Sequence, residues 1–353
     1  MKTKRIGFIG AGAIAAYIGA FLSREGHEVT LIDGWPEQID MLKRQGIEVT
    51  GPHDPFNARP RALHICEAHD LHDGKEFDIG FVAMKAYDTK WSAAFIDRFV
   101  TPEGYVVASQ NCWTDEMVAS VVGRDRTVGL IMSSISVGVW EPGKVDRGAE
   151  RGSAHGHDVF RAGELDGTVT PRTRELADML SVIDGAHATD NLWGERWTKL
   201  SQNAMGNPVQ AMTGQGSIEV ASTPRGRQLS IMLAHESVKV GLALGHSLGE
   251  VRGEHPEKWA AADRGDVYEE LDGRLTPSRA AGRNWKVSMA QDVAKGRRTE
   301  IEYMNGFIAK KGREVGVPTP VSEAVTEVVR AIDEKQLEAS PDNIELTLRK
   351  AGL

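Results

Sequence analysis

Short apolar runs alternate with segments of helical periodicity in the first half of the chain. Residues 4–9 predict a short buried strand, and a glycine-containing turn then leads into helical sequence that continues to about residue 25. Gly26 marks the expected end of this helix, because glycine readily adopts the left-handed conformation that commonly terminates helices. The apolar run at residues 29–32 predicts the next strand.

Further apolar runs at residues 79–84 and 105–109 are each followed by helix-like sequence, and residues 128–140 are rich in β-branched residues and predict another strand. Such alternation is typical of a doubly wound parallel sheet. Helical periodicity dominates after this region. We therefore predict an α/β fold with a doubly wound sheet domain over residues 1–188 and an all-helical domain over residues 189–353.

The second half contains three distinct segments after its first helices. Residues 251–283 are charged and irregular, so we interpret them as an insertion with some helix. Residues 322–335 predict an amphipathic helix, and the residues after it have the composition of a polar tail. No internal repeat is visible, which argues against a repeat architecture.

The composition fits a globular protein of about two domains, since the chain has 353 residues, of which 41% are hydrophobic and 26% charged. The 42 Lys and Arg residues are outnumbered by 50 Asp and Glu residues, and the net charge of −8 disfavours a nucleic-acid-binding protein. Cys66 and Cys112 are too few for a disulfide framework, and this scarcity is typical of the reducing cytoplasm, where we expect the protein.

The uncharged stretch at residues 6–22 leaves an alternative open, because an apolar stretch after a basic N-terminus is also typical of a secretion signal. The stretch is rich in Gly and Ala and is therefore only weakly apolar. No other segment approaches the ~18 apolar residues of a membrane span. We favour a soluble protein that does not associate with membranes.

The turn after the first predicted strand has the pattern Gly10-x-Gly12-x-x-Ala15. Gly10 permits the tight turn, Gly12 lets the backbone approach a pyrophosphate, and the small Ala15 lets the helix pack against the strand. The helix N-terminus adds N–H groups and the positive end of a dipole. Because a strand precedes the motif and a helix follows it, we predict a Rossmann-type dinucleotide site rather than a merely tight glycine turn.

Asp33 ends the second predicted strand, roughly 20 residues after the glycines. A carboxylate at this position accepts hydrogen bonds from the ribose hydroxyls of NAD and repels the 2′-phosphate of NADP. The alternatives are an ordinary exposed aspartate and a phosphate contact from nearby Lys43 or Arg44. We predict NAD(H) as the preferred cofactor on the basis of Asp33.

Lys199, Asn203 and Asn207 are spaced four residues apart and would lie along one face of a helix. One cation with two amides is unusual on a solvated helix face, where Glu and Lys are more common. From the spacing alone, a plain polar stripe is the more ordinary interpretation.

Ser288 and Glu300 lie in a third polar segment, with Gly296 between them. One straight helix would place the two residues about 18 Å apart, whereas a break at Gly296 lets them face one site. Thr299 and Glu302 have the spacing of a capping box, which predicts that a new helix starts there. Glu300 in a first turn has a simpler interpretation as a carboxylate that compensates the helix dipole.

Two other features suggest chemistry that we discount. A group of potential metal ligands lacks the spacing of a zinc site and lies in loop-like sequence, so we predict no bound metal. These residues are His64, Cys66, His69 and His72. Cys112 has no activating motif nearby, so we do not expect a thiol nucleophile.

Several sequence blocks together resemble the ketopantoate reductase (2-dehydropantoate 2-reductase) family, and the resemblance covers nearly the whole chain in order. The blocks are residues 10–14, 84–89 and 110–111, Lys199 with Asn203 and Asn207, and residues 288–292 and 298–306. The Lys-x3-Asn-x3-Asn spacing and the Thr-Glu-Ile-Glu-Tyr-x-Asn-Gly string are the specific ones. The resemblance implies a Rossmann domain followed by a helical domain similar to that of 6-phosphogluconate dehydrogenase.

The resemblance also implies roles for individual residues. Lys199 is the implied general acid that polarises the substrate ketone, and Glu300 is the implied carboxylate that holds the substrate hydroxyl and the lysine. The other residues that the resemblance assigns are Asn203, Asn207 and Ser288 for the substrate, and Gly10, Ala11, Gly12, Ala13, Ile14, Lys85 and Asn111 for the cofactor. The implied reaction is the NAD(P)H-dependent reduction of a 2-oxo acid to a 2-hydroxy acid, with 2-dehydropantoate as the lead substrate and a homodimer as the expected assembly.

Three features depart from the family pattern. Asp33 stands where an arginine suited to NADPH is common, and Cys112 stands where glycine is usual. The insertion brings Trp259 and Tyr268 toward the substrate-binding run, where they could reshape the pocket. Two alternatives stay open. One is an NAD-dependent dehydrogenase of another 2-hydroxy acid in a catabolic pathway. The other is a nucleotide-sensing protein without turnover, although the presence of both Lys199 and Glu300 argues against it.

Overall fold

The computed structural model describes residues 2–277, 284 and 286–353, and the chain divides into two compact units, Met1–Leu192 and Trp193–Leu353. Residues 278–283, at the end of the predicted insertion, lie outside the described part. No helix among the described residues is both long enough and apolar enough to cross a bilayer.

The first unit is built from strands and helices that alternate along most of its length. Its strands are β1 (Arg5–Ile9), β2 (Glu28–Asp33), β3 (Ile47–Thr50), β4 (Phe56–Ala58), β5 (Arg61–His64), β6 (Phe77–Val82), β7 (Val100–Ala108), β8 (Thr127–Met132), β9 (Val137–Glu141), β10 (Lys144–Arg147), β11 (Phe160–Glu164) and β12 (Ala186–Thr189). Its helices are α1 (Ala13–Arg24), α2 (Pro36–Gln45), α3 (Thr89–Asp97), α4 (Asp115–Val122) and α5 (Pro171–Leu180).

The large sheet has the strand order β12-β11-β8-β7-β6-β1-β2-β5. The strands from β8 to β5 are mutually parallel, whereas β11 is antiparallel to β8 and parallel to β12. Phe8 of β1 stacks on its neighbour Phe81 of β6 with 4.4 Å between the ring centroids. Because the chain extends the sheet first on one side of β1 and then on the other, the strand order reverses there. Open α/β sheets bind ligands at the carboxyl ends of the strands beside such a reversal. The predicted doubly wound sheet is confirmed.

A second, four-stranded sheet has the order β4-β3-β10-β9 and was not foreseen from the sequence. It packs on α1, where Phe21 and Phe56 meet edge to face with 4.9 Å between their ring centroids. Residues 128–140, expected to form one strand, instead contribute β8 to the large sheet and β9 to the small one. Ser134 and Ser136 in the connection have positive φ angles of 59° and 41°, which turn the chain from one sheet to the other.

A buried ion pair connects β10 to the turn before β12. The guanidinium of Arg147 donates to the carboxylate of Asp184, and both side chains are fully buried. Asp184 also accepts hydrogen bonds from the backbone N–H groups of Ser153 at 2.9 Å and Gly152 at 3.0 Å. Burial by itself would raise the pKa of Asp184, but the backbone donors and the guanidinium outweigh it and hold the pKa at about 2.

The second unit consists of helices, and its described residues contain no strand apart from an isolated bridge between Val251 and Glu254. The predicted all-helical character is therefore confirmed there. The helices are α6 (Leu192–Ala204), α7 (Asn207–Thr213), α8 (Ser217–Ser222), α9 (Pro224–Ala243), α10 (Pro256–Ala260), α11 (Gly265–Leu275), α12 (Ser288–Ala294), α13 (Asn305–Val315), α14 (Pro320–Asp333) and α15 (Asn343–Lys350).

Helix α9 is the central helix of this unit, and two buried tryptophans pack near it. The indole N–H of Trp197 donates to the carbonyl of Ser237 at 2.8 Å, and a Cβ on Gly241 would lie 2.4 Å from the same indole. Trp259, fully buried in the insertion, donates to the carbonyl of Val251 at 2.8 Å, and its own carbonyl contacts His235 of α9. The indole of Trp259 therefore anchors the insertion to the core, and its effect on the substrate pocket stays a prediction.

The C-terminal segment is also ordered, contrary to the polar tail that we expected. Its helix α15 buries Ile344 and Leu348, which are four residues apart on one face. The amide of Asn343 donates to the carbonyl of Met212 at 2.9 Å and fixes the helix to α7. Two apolar residues at helical spacing are enough to dock a short helix whose other positions are polar.

A buried carboxylate caps α14. Glu236 of α9 accepts hydrogen bonds from the backbone N–H groups of Val321 and Ser322, both at 2.7 Å. Burial is the largest influence on this group and raises the pKa of Glu236 to about 7, although both backbone donors oppose the shift.

Candidate functional site

The glycine turn joins β1 to α1 at the carboxyl end of the sheet. Gly10 has a φ of 111°, and a Cβ at this position would lie 2.8 Å from the carbonyl oxygen of Ala83, so only glycine fits. The N–H of Gly10 donates to the carbonyl of Ile32 at 2.7 Å and fixes the turn against β2.

Gly12 serves a different purpose, because its φ of −70° is open to any residue. A Cβ on Gly12 would meet no atom within 4 Å in the described part of the chain, and no side chain there caps the start of α1. The turn therefore exposes backbone N–H groups at a helix N-terminus beside open space, which is the cradle that a pyrophosphate requires. Ala13 and Ile14 form the first turn of this helix. These residues fit a dinucleotide cofactor.

Asp33 lies at the end of β2, where its carboxylate accepts hydrogen bonds from two backbone N–H groups. The donors are Ala11 at 2.5 Å and Trp35 at 2.9 Å. The carboxylate thus holds the glycine turn and the start of α2 together and remains partly exposed. This contact places Asp33 beside Gly10, Ala11 and Gly12, as expected, while its bond to a ribose stays a prediction.

Gln38 is a residue of this site that the sequence reasoning missed. It is fully buried in α2, where its amide donates to the carbonyl of Ala11 at 3.0 Å and accepts from the N–H of Gly143 at 2.8 Å. Gln38 therefore connects the glycine turn to the hairpin between β9 and β10. A glutamine on the apolar face of α2, next to Ile39 and near Leu42, was the available signal.

Lys85 and Asn111 follow the carboxyl ends of the neighbouring strands β6 and β7. Gln110 holds the two loops together, since its amide donates to the carbonyl of Met84 at 2.9 Å and to the hydroxyl of Thr89 at 2.8 Å. Lys85 and Asn111 are both partly exposed. The structure therefore brings both to the edge of the sheet that also carries the glycine turn.

Cys112, the departure from the family pattern, is buried and has a φ of 70°. This left-handed conformation is the one in which glycine is free of strain, which explains why glycine is usual there. Trp113 is also buried, and its indole N–H donates to Glu116 at 2.8 Å. Both side chains therefore pack inside the loop.

The cluster of potential metal ligands has a local structural role. His64 caps a short 3-10 turn at Ile65–Asp70, where its ring accepts from the N–H of Cys66 at 3.3 Å. His69 contacts the carbonyl of Cys66 at 3.2 Å. No group of three or more potential ligands gathers anywhere in the described residues.

Helix α6 of the second unit is fixed by two of its faces. Trp197 and Ser201 point toward α9, where the hydroxyls of Ser201 and Ser237 lie 2.7 Å apart. The hydroxyl of Thr198 accepts from the N–H of Gly249 at 2.9 Å on a second face. Lys199 and Asn203 lie four residues apart on a third face and are partly exposed.

Asn207 is not on this helix, so the prediction of three residues along one helix face is wrong. Helix α6 ends at Ala204, and Asn207 is the first residue of α7, where it is buried. Gly206 and Pro208 flank it, and Pro208 has no N–H to donate to the carbonyl of Ala204, so α6 cannot continue through it. The side chain of Asn305 donates to the carbonyl of Ala204 at 3.2 Å and closes the end of α6.

Ser288 begins α12 and is exposed. The helix is tied to α7, because the N–H of Val287 donates to the side chain of Gln210 at 3.1 Å. It ends at Ala294, before Gly296 with a φ of 64°, so the predicted break is confirmed.

Glu300 is buried just before a 3-10 turn, Ile301–Tyr303. The predicted capping box after the break is wrong. Thr299 donates to Asp333 at 2.7 Å, and Glu302 pairs with Arg330 at 2.5 Å, so both side chains face α14. Helix α13 starts only at Asn305. The segment reaches the end of α6 through Asn305, whereas a contact between Glu300 and Lys199 stays a prediction.

Each unit carries its own set of polar groups. The first presents a pyrophosphate cradle, a carboxylate at the end of β2, and the loops of Lys85 and Asn111. The second presents an ammonium and amides around the junction of α6 and α7. Donors and a cation of this kind stabilise negative charge on a substrate oxygen.

Comparison with known proteins agrees with this organisation. The profile of ketopantoate reductase PanE/ApbA matches residues 6–157, and that of the ketopantoate reductase PanE/ApbA C terminal matches residues 191–333. A protein of Archaeoglobus fulgidus named 2-dehydropantoate 2-reductase is 26% identical over 340 residues, which cover 94% of this chain and 99% of that protein.

Two solved structures share the fold. One is D-mandelate dehydrogenase with NADH and anilino(oxo)acetate, with a TM-score of 0.75 and 22% identity over 94% of this chain and 98% of that one. The other is a PanE/ApbA family ketopantoate reductase from Ralstonia eutropha JMP134, with a TM-score of 0.75 and 22% identity over 94% and 99% of the two chains. Since the two family profiles match well over half of its residues, the chain belongs to the ketopantoate reductase family and is an NAD(P)-dependent oxidoreductase that acts on CH–OH groups.

Proposed function

We propose that this enzyme reduces a 2-oxo acid to the corresponding 2-hydroxy acid, with 2-dehydropantoate as the leading substrate and pantoate as the product. The observation that carries the proposal is the third face of α6. Trp197 and Thr198 fix the helix on its other faces, which leaves Lys199 and Asn203 accessible to a ligand. The name of the Archaeoglobus relative supports the choice of substrate.

When bound, the reduced nicotinamide supplies a hydride to the carbonyl carbon of the substrate. Lys199 donates a hydrogen bond to the carbonyl oxygen, stabilises the negative charge that grows there, and then transfers its proton to that oxygen. Glu300 accepts a hydrogen bond from the substrate hydroxyl and orients the lysine. Asn203, Asn207 and Ser288 hold the remaining substrate oxygens.

In the first unit, the N–H groups after Gly12 bind the pyrophosphate, and Lys85 and Asn111 position the nicotinamide. Asp33 selects NADH, because its carboxylate repels a 2′-phosphate. The nearby cations support this preference because both bind other groups of the protein. Lys43 pairs with Glu67 at 2.5 Å, and Arg44 donates to the carbonyl of Asp40 at 3.2 Å.

A second candidate function is the NAD-dependent oxidation of a different 2-hydroxy acid. Asp33 favours it, because a preference for NAD suits oxidation in the cell. The assay that separates the candidates measures NADH and NADPH consumption with a panel of 2-oxo acids, and NAD reduction with the matching 2-hydroxy acids. A kcat/KM for 2-dehydropantoate that exceeds those of the other acids supports the first candidate. Lower KM values for NADPH than for NADH would contradict the role of Asp33, and Asp33→Arg should shift the preference toward NADPH.

The catalytic role of Lys199 is tested by Lys199→Ala. We expect kcat to fall by about 10²–10⁴-fold, because the variant loses both charge stabilisation and the proton donor. The Kd for NADH should not change, since the cradle lies in the other unit. Lys310→Ala, which removes an exposed lysine from α13, is the matched control. Normal turnover in Lys199→Ala would remove the basis of the proposal. Glu300→Ala should mainly raise the KM of the substrate.

The homodimer expected from the family stays a prediction, which light scattering of the purified enzyme checks.

A further inference from the structure

The insertion after α9 begins with a two-residue turn that places an arginine beside the junction of α6 and α7. The N–H of Val251 donates to the carbonyl of Glu254 at 2.9 Å, and the reverse bond is 3.1 Å long. Arg252 and Gly253 between them have φ angles of 53° and 74°. Such a turn favours Asn, Asp or Gly at its first central position, so Arg252 is held in a strained conformation that costs about 1 kcal/mol or more.

The insertion holds this strained turn firmly. Arg274 donates to the carbonyls of Arg252 at 3.3 Å and Gly253 at 3.1 Å, and it pairs with Glu254 at 3.0 Å. Trp259, buried in the core, binds the carbonyl of Val251. The turn therefore holds the side chain of Arg252 in a fixed position, and residues held in strained conformations are common at ligand-binding sites.

The guanidinium of Arg252 reaches the substrate helix. A Cβ on Gly206 would lie 3.9 Å from Nη2 of Arg252, which places this nitrogen next to the break between α6 and α7. Asn203 and Asn207 flank that break in the chain. The loop before the turn is fixed to α6 as well, since Gln202 donates to the carbonyl of Glu250 at 3.2 Å.

Neighbouring arginines have carboxylate partners, and Arg252 does not. Arg227 pairs with Asp272 at 2.7 Å and Arg274 pairs with Glu254, whereas no acceptor among the described residues binds the guanidinium of Arg252. The residue keeps exposed surface, yet surrounding protein desolvates the guanidinium and lowers its pKa. Both properties are found together in a side chain that lines a concave surface.

We propose that Arg252 binds a carboxylate of the substrate through a two-pronged ion pair and thereby determines specificity for acidic substrates. The inference rests on the proposed function and names the substrate group that this site recognises. A planar guanidinium matches a carboxylate in geometry, and in a partly desolvated position the pair is stronger than on an open surface. Arg252 acts on binding, while Lys199 acts on the carbonyl.

The test compares Arg252→Gln and Arg252→Lys with the wild-type enzyme. We expect Arg252→Gln to raise the KM for 2-dehydropantoate and phenylglyoxylate by about 10–100-fold with little change in kcat, as expected for loss of a charge-assisted hydrogen bond. Arg252→Lys should retain part of the affinity, because it keeps the charge but not the fork. Arg264→Gln, which removes an exposed arginine of the same insertion, is the control for net charge.

Neutral and doubly charged substrates identify the group that is bound. The methyl ester of phenylglyoxylate should have the same KM in Arg252→Gln and in the wild type. A loss with every 2-oxo acid supports the proposal and assigns the guanidinium to the carboxylate beside the ketone. A loss with 2-oxoglutarate alone would contradict it, because 2-dehydropantoate and phenylglyoxylate have no second carboxylate. Unchanged KM values for all the acids, or an equal loss with the ester, would overturn the proposal.

Two measurements distinguish a loss of carboxylate binding from a loss of stability and from failure of the proposed function. Asparagine suits the left-handed turn, so Arg252→Asn should raise Tm by about 2 °C and at the same time weaken the binding of acids. A purely structural role of Arg252 would not produce these opposite effects on stability and binding. Calorimetric titration of the NADH-loaded enzyme with oxamate measures carboxylate binding without turnover. If the wild type reduces no 2-oxo acid, the proposed function fails, and the oxamate titration of Arg252→Gln still decides whether the arginine binds a carboxylate.

Discussion

Replacement of Gln38 by methionine tests whether a buried amide supports the dinucleotide site. The change keeps the length of the side chain and removes both hydrogen bonds, to the carbonyl of Ala11 and from the N–H of Gly143. Each backbone group left unpaired in the interior costs about 1–3 kcal/mol, and the more apolar methionine offsets about 1 kcal/mol by its burial. The two unpaired groups together cost about 2–6 kcal/mol, so the expected loss of stability is about 1–5 kcal/mol.

This loss corresponds to a decrease in Tm of roughly 2–20 °C for a unit of this size. The glycine turn also loses one of the bonds that fix Ala11, while the bond to Asp33 remains. We expect the Kd for NADH to rise about tenfold, which is about 1.4 kcal/mol. Scanning calorimetry measures the first effect, and fluorescence titration with NADH measures the second.

Gln45→Met is the matched control, because Gln45 ends the same helix and is exposed. It should leave both Tm and Kd unchanged. If Gln38→Met matched this control in Tm and in Kd, the amide would have no supporting role, and the order of the glycine turn would have to come from Asp33 and Gly10 alone.

Three further predictions concern the cradle and two buried carboxylates. Gly12→Val should leave Tm nearly unchanged but raise the Kd for NADH by more than tenfold, because the new side chain fills the open space beside the N-terminus of α1. An unchanged Kd would show that the phosphates bind elsewhere. Asp184 has its pKa held at about 2, so its stabilisation is complete above about pH 5 and is lost as the pH falls toward 2. Asp184→Asn should lower stability at pH 7 and remove this acid-dependent part in urea denaturation. The pH dependence that Glu236 causes has the opposite sign, because burial raises its pKa to about 7. The free energy of unfolding should therefore fall by about 3 kcal/mol as the pH rises from 4.5 to 7. A Glu236→Gln variant whose stability falls equally steeply between pH 5 and pH 8 would refute this assignment.

The sheet was predictable where its signals are local. The strand, glycine turn and helix at β1 and α1 follow from apolar runs and from residues that only this turn accepts, such as Gly10. The small sheet was missed because its strands are short and pair over a long stretch of chain, as when Glu48 pairs with Lys144. No local pattern identifies partners so far apart.

The site residues were found mainly through the family resemblance, and their geometry was only partly foreseen. The spacing of Lys199, Asn203 and Asn207 suggested one helix, although Gly206 and Pro208 together mark the break that the structure contains. The role of Arg252 had no signal in the sequence, because it depends on the conformation of a turn and on the guanidinium reaching a distant helix.

The bond between Gln38 and Gly143 has a consequence for synthesis of the chain. The two residues are 105 positions apart, so the glycine turn emerges from the ribosome long before its support. A nascent chain that ends before the hairpin of β9 and β10 lacks the N–H of Gly143, so the side chain of Gln38 and the glycine turn that it supports are incompletely held. The last strand of the large sheet, β12, is complete at Thr189, ten positions before Lys199 is added. We therefore expect dinucleotide affinity to arise during translation before the catalytic lysine has been released.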